Sequence, residues 1–173
     1  MRRKQLLIFL GMLAAVVAVV AVVQQALGAH SPQPVAVADR LALAWRWLLV
    51  PGLCLLAGIG TTANQRFLRK DFIDGKRPAA STSDKPGFME INLRYNLNTL
   101  EQAVLAAIAW TGLALELRPQ DLGLIPALAG LFAAGRATFW AGYLYAPWAR
   151  AFGLGLTAYP TFAALVWLAF RLF

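Results

Sequence analysis

Long apolar stretches alternate with short polar segments along the whole chain. A hydrocarbon layer about 30 Å thick requires about 20 apolar residues in a helix, so we searched for stretches of that length with few charges. Five stretches qualify, and they cover residues 5–29, 41–63, about 91–117, 122–145 and 151–170. This pattern predicts an all-α integral membrane protein with five crossings.

The composition supports this prediction. Hydrophobic residues make up 60% of the chain, charged residues only 14%, and the mean hydropathy is +0.60. Soluble domains contain about 25% charged residues. Because the connections after the third and fourth stretches are only a few residues long, those neighbours must be antiparallel, and one compact helical bundle accounts for the chain.

The positions of lysine and arginine predict an orientation. The N-terminal "MRRK", the loop "NQRFLRKDFIDGKRPAASTSDKPG" and Arg150 fall on one side, while Arg40, Arg118 and Arg171 lie near the other. Basic loops stay in the cytoplasm, so the N-terminus is expected inside and the C-terminus outside. The net charge of +8 then reflects orientation and anionic lipid, not nucleic acid, because the basic residues lack interleaved aromatic residues.

The first stretch has a second interpretation. A basic start followed by an apolar run that ends in "ALGA" is also typical of a secretory signal peptide. Its apolar part is about twenty residues long, whereas a signal core has about 7 to 15, so we favour a retained helix. Sequencing the mature N-terminus distinguishes the two, since cleavage predicts a chain that starts near His30.

Cysteine and histidine each occur once, as Cys54 in the second stretch and His30 in the outer loop. One cysteine cannot form an internal disulfide or a redox pair, and neither residue alone makes a metal site. The chain also has no glycine-rich phosphate loop and no nucleophile elbow. Candidate chemistry must therefore come from other polar residues, and no metal is expected.

Polar residues inside the third stretch form a row. A charge at the centre of a bilayer costs about 2.5 to 3.5 kcal/mol on insertion scales, so such residues must face protein or water. Arg94, Asn98 and Glu101 stand at i, i+4 and i+7 and therefore share one face of a helix. The spacing predicts a network in which Asn98 joins the two opposite charges.

The fourth stretch carries a similar row. Arg136, Phe139 or Trp140, and Tyr143 share a face, and Arg150 stands at the entrance to the fifth stretch. The two rows converge at the cytoplasmic end, which predicts an anion-binding pocket there. Two alternatives remain open: interior polar groups can simply hold helices together, and the aromatic residues can form an interfacial belt.

Four segments, taken in order, resemble the MAPEG family, the membrane-associated proteins of eicosanoid and glutathione metabolism. Arg94-x-x-x-Asn98-x-x-Glu101 resembles the family signature, and "TTANQRFLRKDF" resembles the basic segment that ends the family's first helix. "GRATFWAGYLY" resembles an Arg-x-x-(His or Tyr)-x-x-x-Tyr motif, and "PWAR" resembles the Pro-x-x-Arg of bacterial members. The resemblance covers about residues 41–173.

The resemblance implies a fold and an assembly. It implies a MAPEG-like four-helix bundle over residues 39–173, preceded by one additional transmembrane helix and outer loop in residues 1–38. It further implies a homotrimer in a bacterial inner membrane, with glutathione bound between protomers near the cytoplasmic face. The expected activity is the transfer of glutathione to lipophilic electrophiles, or the reduction of lipid hydroperoxides by glutathione.

The resemblance also implies roles for the polar rows. Glutathione has two carboxylates and an ammonium group, which suit planar cations and an acidic partner. Arg66, Arg94 and Arg136 are expected to hold carboxylates, and Glu101 with Asn98 to hold the amine or to orient an arginine.

The thiol of glutathione must become a thiolate, and a free cysteine thiol has a pKa of about 8.5. By resemblance, Arg150 is the residue that stabilises this thiolate, and Tyr143 contacts the peptide. The apolar substrate is expected to enter sideways from the bilayer, and proximity of the reactants supplies much of the remaining rate.

Three positions depart from the family pattern: Phe139 replaces a frequent His or Tyr, Leu97 replaces an arginine of one prostaglandin-forming branch, and Ala151 replaces a frequent Ser or Thr. These departures favour a generalist, bacterial-type member. A non-catalytic membrane scaffold or lipid-binding protein is the alternative function. A transporter fits less well, because the chain shows no internal repeat.

Overall fold

The computed structural model describes residues 3–27, 36–70 and 86–172. These residues form five α-helices, they include the short 3₁₀-helix Pro119–Asp121, and they contain no strand. The α-helices are α1 (Arg3–Leu27), α2 (Val37–Leu68), α3 (Phe88–Glu116), α4 (Leu124–Tyr145) and α5 (Ala151–Leu172). The all-α prediction is confirmed. His30 and most of the predicted basic loop, beyond Lys70, lie outside the described residues.

Four of the described helical segments are long and apolar enough to cross a membrane. They are α1, α2, Pro119–Tyr145 (the 3₁₀-helix with α4) and Ala151–Arg171 of α5. The prediction of an integral membrane protein is confirmed. α3 has 29 residues, which span about 43 Å at a rise of 1.5 Å per residue. Its polar residues nevertheless keep it out of this group, so the fifth crossing stays a prediction.

The helices pack as neighbouring pairs. α2 packs along α3 and α5 along α4, each pair antiparallel, and α1 lies against α5 and α4. Trp110 and Phe132 are almost fully buried at the centre, with their rings edge-on at 6.2 Å. Ala15 of α1 is fully buried, and Gly155 of α5 lies directly against it. The additional N-terminal helix therefore packs against α5 and α4 along one face.

Arg40 closes one end of the α2–α3 pair. This arginine is buried in the first turn of α2, and it donates hydrogen bonds to the carbonyl oxygens of Leu115 at 2.9 Å and Leu117 at 2.6 Å. The last carbonyl groups of a helix have no partner within the helix, and a cation there also interacts favourably with the helix dipole. Arg40 thus caps α3 from a different helix.

Two glycines bring α4 and α5 together. Gly135 and Gly153 are buried and face each other across the pair. A Cβ atom on Gly153 would lie less than 3.0 Å from the backbone nitrogen of Phe139 and from the carbonyl oxygen of Gly135. The helices therefore touch backbone to backbone, as small residues allow in membranes.

Candidate functional site

Polar side chains gather at the end of the bundle where α3 begins, α4 ends and α5 begins. We call Glu90, Arg94, Tyr143 and Arg150 the tyrosine–arginine cluster. Arg94 donates from Nη1 to the Tyr143 hydroxyl at 2.7 Å, and its Nη2 pairs with the Glu90 carboxylate one turn earlier. The cluster joins the first turns of α3 to the last turn of α4.

Arg150 approaches the same tyrosine from its ring face. The guanidinium carbon of Arg150 lies 4.5 Å from the centre of the Tyr143 ring. Such a contact is attractive because the face of an aromatic ring carries partial negative charge. Tyr143 is only 1% exposed, so its ring is held firmly while its hydroxyl accepts a hydrogen bond from Arg94. Among the described residues, no acceptor takes the proton of that hydroxyl.

The charges of the cluster do not balance. Among the described residues, two guanidinium groups face one carboxylate, and Glu90 pairs with Arg94 only. Within the described part of the chain, no carboxylate forms an ion pair with Arg150. The side chain of Arg94 is 53% exposed and that of Glu90 is 22% exposed, so an outside ligand can reach them. The arrangement favours a negatively charged ligand whose oxygen or sulfur atoms accept hydrogen bonds from the two arginines.

Arg136 and Asn98 lie deeper in the bundle. Arg136 is 1% exposed and donates to the Asn98 side-chain oxygen and to the Thr157 hydroxyl, both at 2.7 Å. Its guanidinium carbon also lies 4.7 Å from the Phe139 ring centre and 5.7 Å from that of Phe132. Arg136 therefore ties α3, α4 and α5 together, as expected of a polar clasp between membrane helices.

The network predicted through Asn98 differs from the observed contacts. Arg94 pairs with Glu90 and Tyr143, whereas the Asn98 oxygen accepts from Arg136. Glu101 is exposed and has no partner within the described residues. The reason is distance along the helix: Glu90 lies one turn from Arg94, whereas Glu101 lies seven residues away, a rise of about 10.5 Å.

Arg66 is also exposed, in the last turn of α2. The cluster is built from the neighbouring ends of α3, α4 and α5, and within the described residues the side chain of Arg66 forms no hydrogen bond or ion pair. Of the residues predicted to bind or act on glutathione, the structure brings Arg94, Tyr143 and Arg150 together. It places Arg136 in contact with Asn98, deeper in the bundle. Arg66 and Glu101 lie on the surface.

A second polar group between α2 and α3 was missed at the sequence level. Asn92 donates to the Gly58 carbonyl at 2.9 Å and to the Thr62 hydroxyl at 2.5 Å, and Asn96 donates to the same hydroxyl at 2.8 Å. The i, i+4 spacing of the asparagines was a usable signal, as was Glu90 four residues before Arg94. This group holds α3 in place beside α2.

The aromatic residues divide between the interior and the helix end. Trp140 stacks on Tyr95 with ring centres 4.7 Å apart, and Tyr143 packs edge-on against Phe139. Tyr145, by contrast, is 73% exposed where α4 ends. The belt interpretation therefore suits Tyr145, whereas Tyr143 belongs to the site.

Comparison with known proteins gives the affiliation. Transmembrane protein 79 of Mus musculus is 33% identical over 85 residues, which are 49% of this chain and 22% of that protein. The chain thus covers less than a quarter of the length of this curated relative. No solved structure matches the chain. Residues 42–171 match the model of the MAPEG family, a span that includes the whole tyrosine–arginine cluster and excludes α1. Since this match covers about three quarters of the sequence, the chain belongs to the MAPEG family.

Proposed function

We propose that this protein binds glutathione at the tyrosine–arginine cluster and uses its thiolate on lipophilic electrophiles or lipid hydroperoxides. The observation that carries the proposal is the contact of two arginines with one buried tyrosine, with a single carboxylate beside them among the residues that the structure describes. Membership of a family of membrane proteins of glutathione and eicosanoid metabolism supports the choice of ligand.

The charges of the cluster suit the peptide. A carboxylate of glutathione can accept hydrogen bonds from Arg94, whose exposed side chain is accessible from outside the bundle. The carboxylate of Glu90 can accept from the ammonium group. Arg136 is committed to Asn98 and Thr157, so in this proposal it supports the site from behind and keeps Phe139 against Tyr143.

Arg150 and Tyr143 act on the sulfur in this proposal. The positive charge of Arg150 favours the thiolate over the thiol, and the Tyr143 hydroxyl can donate its free proton in a hydrogen bond to the thiolate. In conjugation, the sulfur forms a bond to the electrophilic carbon and the leaving group departs with its electron pair. In peroxide reduction, the sulfur attacks one peroxide oxygen, an alcohol leaves after protonation, and a second glutathione reduces the sulfenic acid to give disulfide and water.

The exposed position of Glu101 is an argument for assembly with further copies of the chain. It lies near the middle of α3 on a face whose exposed neighbours are Leu97, Leu100 and Val104. A carboxylate facing hydrocarbon costs about 2.5 to 3.5 kcal/mol, so a covering protein surface is favoured. We therefore retain the homotrimer, with the cluster end in the cytoplasm, as part of the proposal, and Glu101 then reaches the ligand or the neighbouring protomer.

Glutathione is expected to stabilise the purified protein in detergent. At 100 times its dissociation constant, a ligand that binds only the folded state adds about 2.7 kcal/mol to the free energy of unfolding. Arg94→Ala is expected to abolish this effect. The free protein should stay folded but lose some stability, because the exposed ion pair contributes at most about 1 kcal/mol and the hydrogen bond to Tyr143 about 1.5 to 3 kcal/mol. A thermal unfolding titration measures both.

Arg118→Ala is the matched control, because Arg118 is also an exposed arginine paired within its own segment, but at the other end of the bundle. Its response to glutathione should equal that of the wild type. Glu101→Ala adds a second readout: a carboxylate that faces lipid would leave the glutathione effect intact and raise the stability of the free protein. That result would overturn the role proposed for Glu101.

The alternative function is a non-catalytic membrane scaffold or lipid-binding protein. The Arg136 contacts with Asn98 and Thr157 favour it, because two nitrogens of this buried guanidinium already have partners within the chain. It predicts no glutathione effect on unfolding and no turnover of a generic electrophile or a lipid hydroperoxide. The same titration therefore separates the two functions.

A further inference from the structure

An apolar groove of about 670 Å³ lies at the end of the bundle away from the tyrosine–arginine cluster. Its walls come from the second half of α1, from α5, and from the facing ends of α3 and α4. α1 contributes a row of β-branched side chains, Val16, Val19, Val20 and Val23. One wall is thus built by a helix that lies outside the family match.

The polarity of the groove is uneven. The wall from α5 includes Tyr159, Ala163 and Trp167, whereas Gln24, Arg118 and Asp121 lie together at one end. That end lies where α1 and α3 terminate and α4 begins, which is where the polar layer of a bilayer is expected. An apolar groove with polar groups at one end suits a molecule with one polar head and an apolar chain.

Arg118 supplies the contact for such a head. Its Nε donates to the Asp121 carboxylate at 2.8 Å, and its side chain is 74% exposed. The two terminal amino groups have no partner among the described residues, so they can donate to phosphate oxygens. Inside a bilayer apolar contact alone does not select a ligand, because lipid surrounds every helix. The phosphate contact and the shape of the groove distinguish a bound lipid from the bulk.

We propose that this groove binds one acyl chain of a membrane phospholipid whose phosphate contacts Arg118. The occupant is a phospholipid because the chain is an integral membrane protein and because Arg118, at the polar end of the groove, offers hydrogen-bond donors to a phosphate. The site does not depend on glutathione binding, since it shares no residue with the tyrosine–arginine cluster.

Photolabelling tests the proposal. The full chain is placed in nanodiscs of phosphatidylethanolamine and phosphatidylglycerol that contain a phosphatidylglycerol with a diazirine near the end of one acyl chain. After illumination, peptide mapping should find the label concentrated on the groove residues of α1 and α5. Ala163→Phe, which fills the groove, should cause loss of this labelling, and Arg118→Gln should lower it by weakening retention of the phosphate.

Ala169→Phe is the control, because Ala169 is likewise an exposed alanine of α5 but does not line the groove. It should label as the wild type does, and neither substitution crowds the core. Label spread evenly over all lipid-facing helices, or unchanged by Ala163→Phe, would overturn the proposal. An intact mass that shows removal of α1 from the mature protein would overturn it as well.

Discussion

Replacing Arg150 with glutamine is expected to lower kcat/KM for a generic aromatic electrophile about 100-fold at neutral pH. The guanidinium lies against the Tyr143 ring, and in the proposed site its charge favours the thiolate of bound glutathione. Without that charge the thiol pKa returns toward about 8.5, so part of the lost rate should reappear as the pH rises. Initial rates across pH, with saturating glutathione, measure the effect.

Arg171→Gln is the matched control for this substitution. Arg171 also lies over an aromatic ring, that of Trp167 at 5.5 Å, but it is on the last turn of α5, away from the cluster. Its removal should leave kcat/KM and the pH profile unchanged. Arg150→Lys should give an intermediate rate, because lysine keeps the charge but loses the planar contact with the ring. Equal rates for the Arg150 and Arg171 variants would exclude Arg150 as the group that stabilises the thiolate.

Gly153→Ala is expected to lower the free energy of unfolding by about 3 kcal/mol. The added methyl group would lie against backbone atoms of Phe139 and Gly135, which cannot turn aside as a flexible side chain could. α4 and α5 must then separate, which also disturbs the nearby contacts of Arg136 with Thr157 and of Arg150 with Tyr143. Denaturant unfolding in detergent micelles measures the loss of stability, and the electrophile assay should show reduced turnover.

Gly130→Ala provides the comparison. Gly130 also lies within α4, but it is exposed and a Cβ atom there meets nothing within 4 Å. Because alanine is the better helix former, this variant should be stabler by up to about 1 kcal/mol. If the two variants unfold alike, the close contact between α4 and α5 does not limit stability.

Helix positions could be predicted from hydropathy because each apolar run must be long enough to cross a bilayer. The predicted third span at about 91–117 agrees well with α3, Phe88–Glu116. α2 is longer than the predicted 41–63, since it runs from Val37 to Leu68. Its extra turns contain Asp39, Arg40, Gln65 and Arg66, and polar turns beyond the hydrocarbon layer leave no hydropathy signal.

The partners within the site could be predicted only in part. Helical periodicity placed Arg136 and Tyr143 of α4 on the face toward the bundle, where both are buried, but of the row in α3 it also expected Glu101 inside, and Glu101 is exposed. The motif resemblance identified the family. Neither the periodicity nor the resemblance could show that Asn98 contacts Arg136, because that contact depends on how far α3 and α4 are shifted along each other. Thr157 was overlooked for the same reason, since its role follows from the close approach of α5 to α4.

The link from Arg40 to the end of α3 has an evolutionary consequence. Both acceptors are main-chain oxygens, at positions 115 and 117, so any amino acid at those two sites presents the same atoms. Mutational drift there leaves the link untouched, whereas loss of the single guanidinium donor removes both bonds at once. At this contact, substitutions are therefore tolerated at positions 115 and 117, at the end of α3, and not at Arg40 of α2.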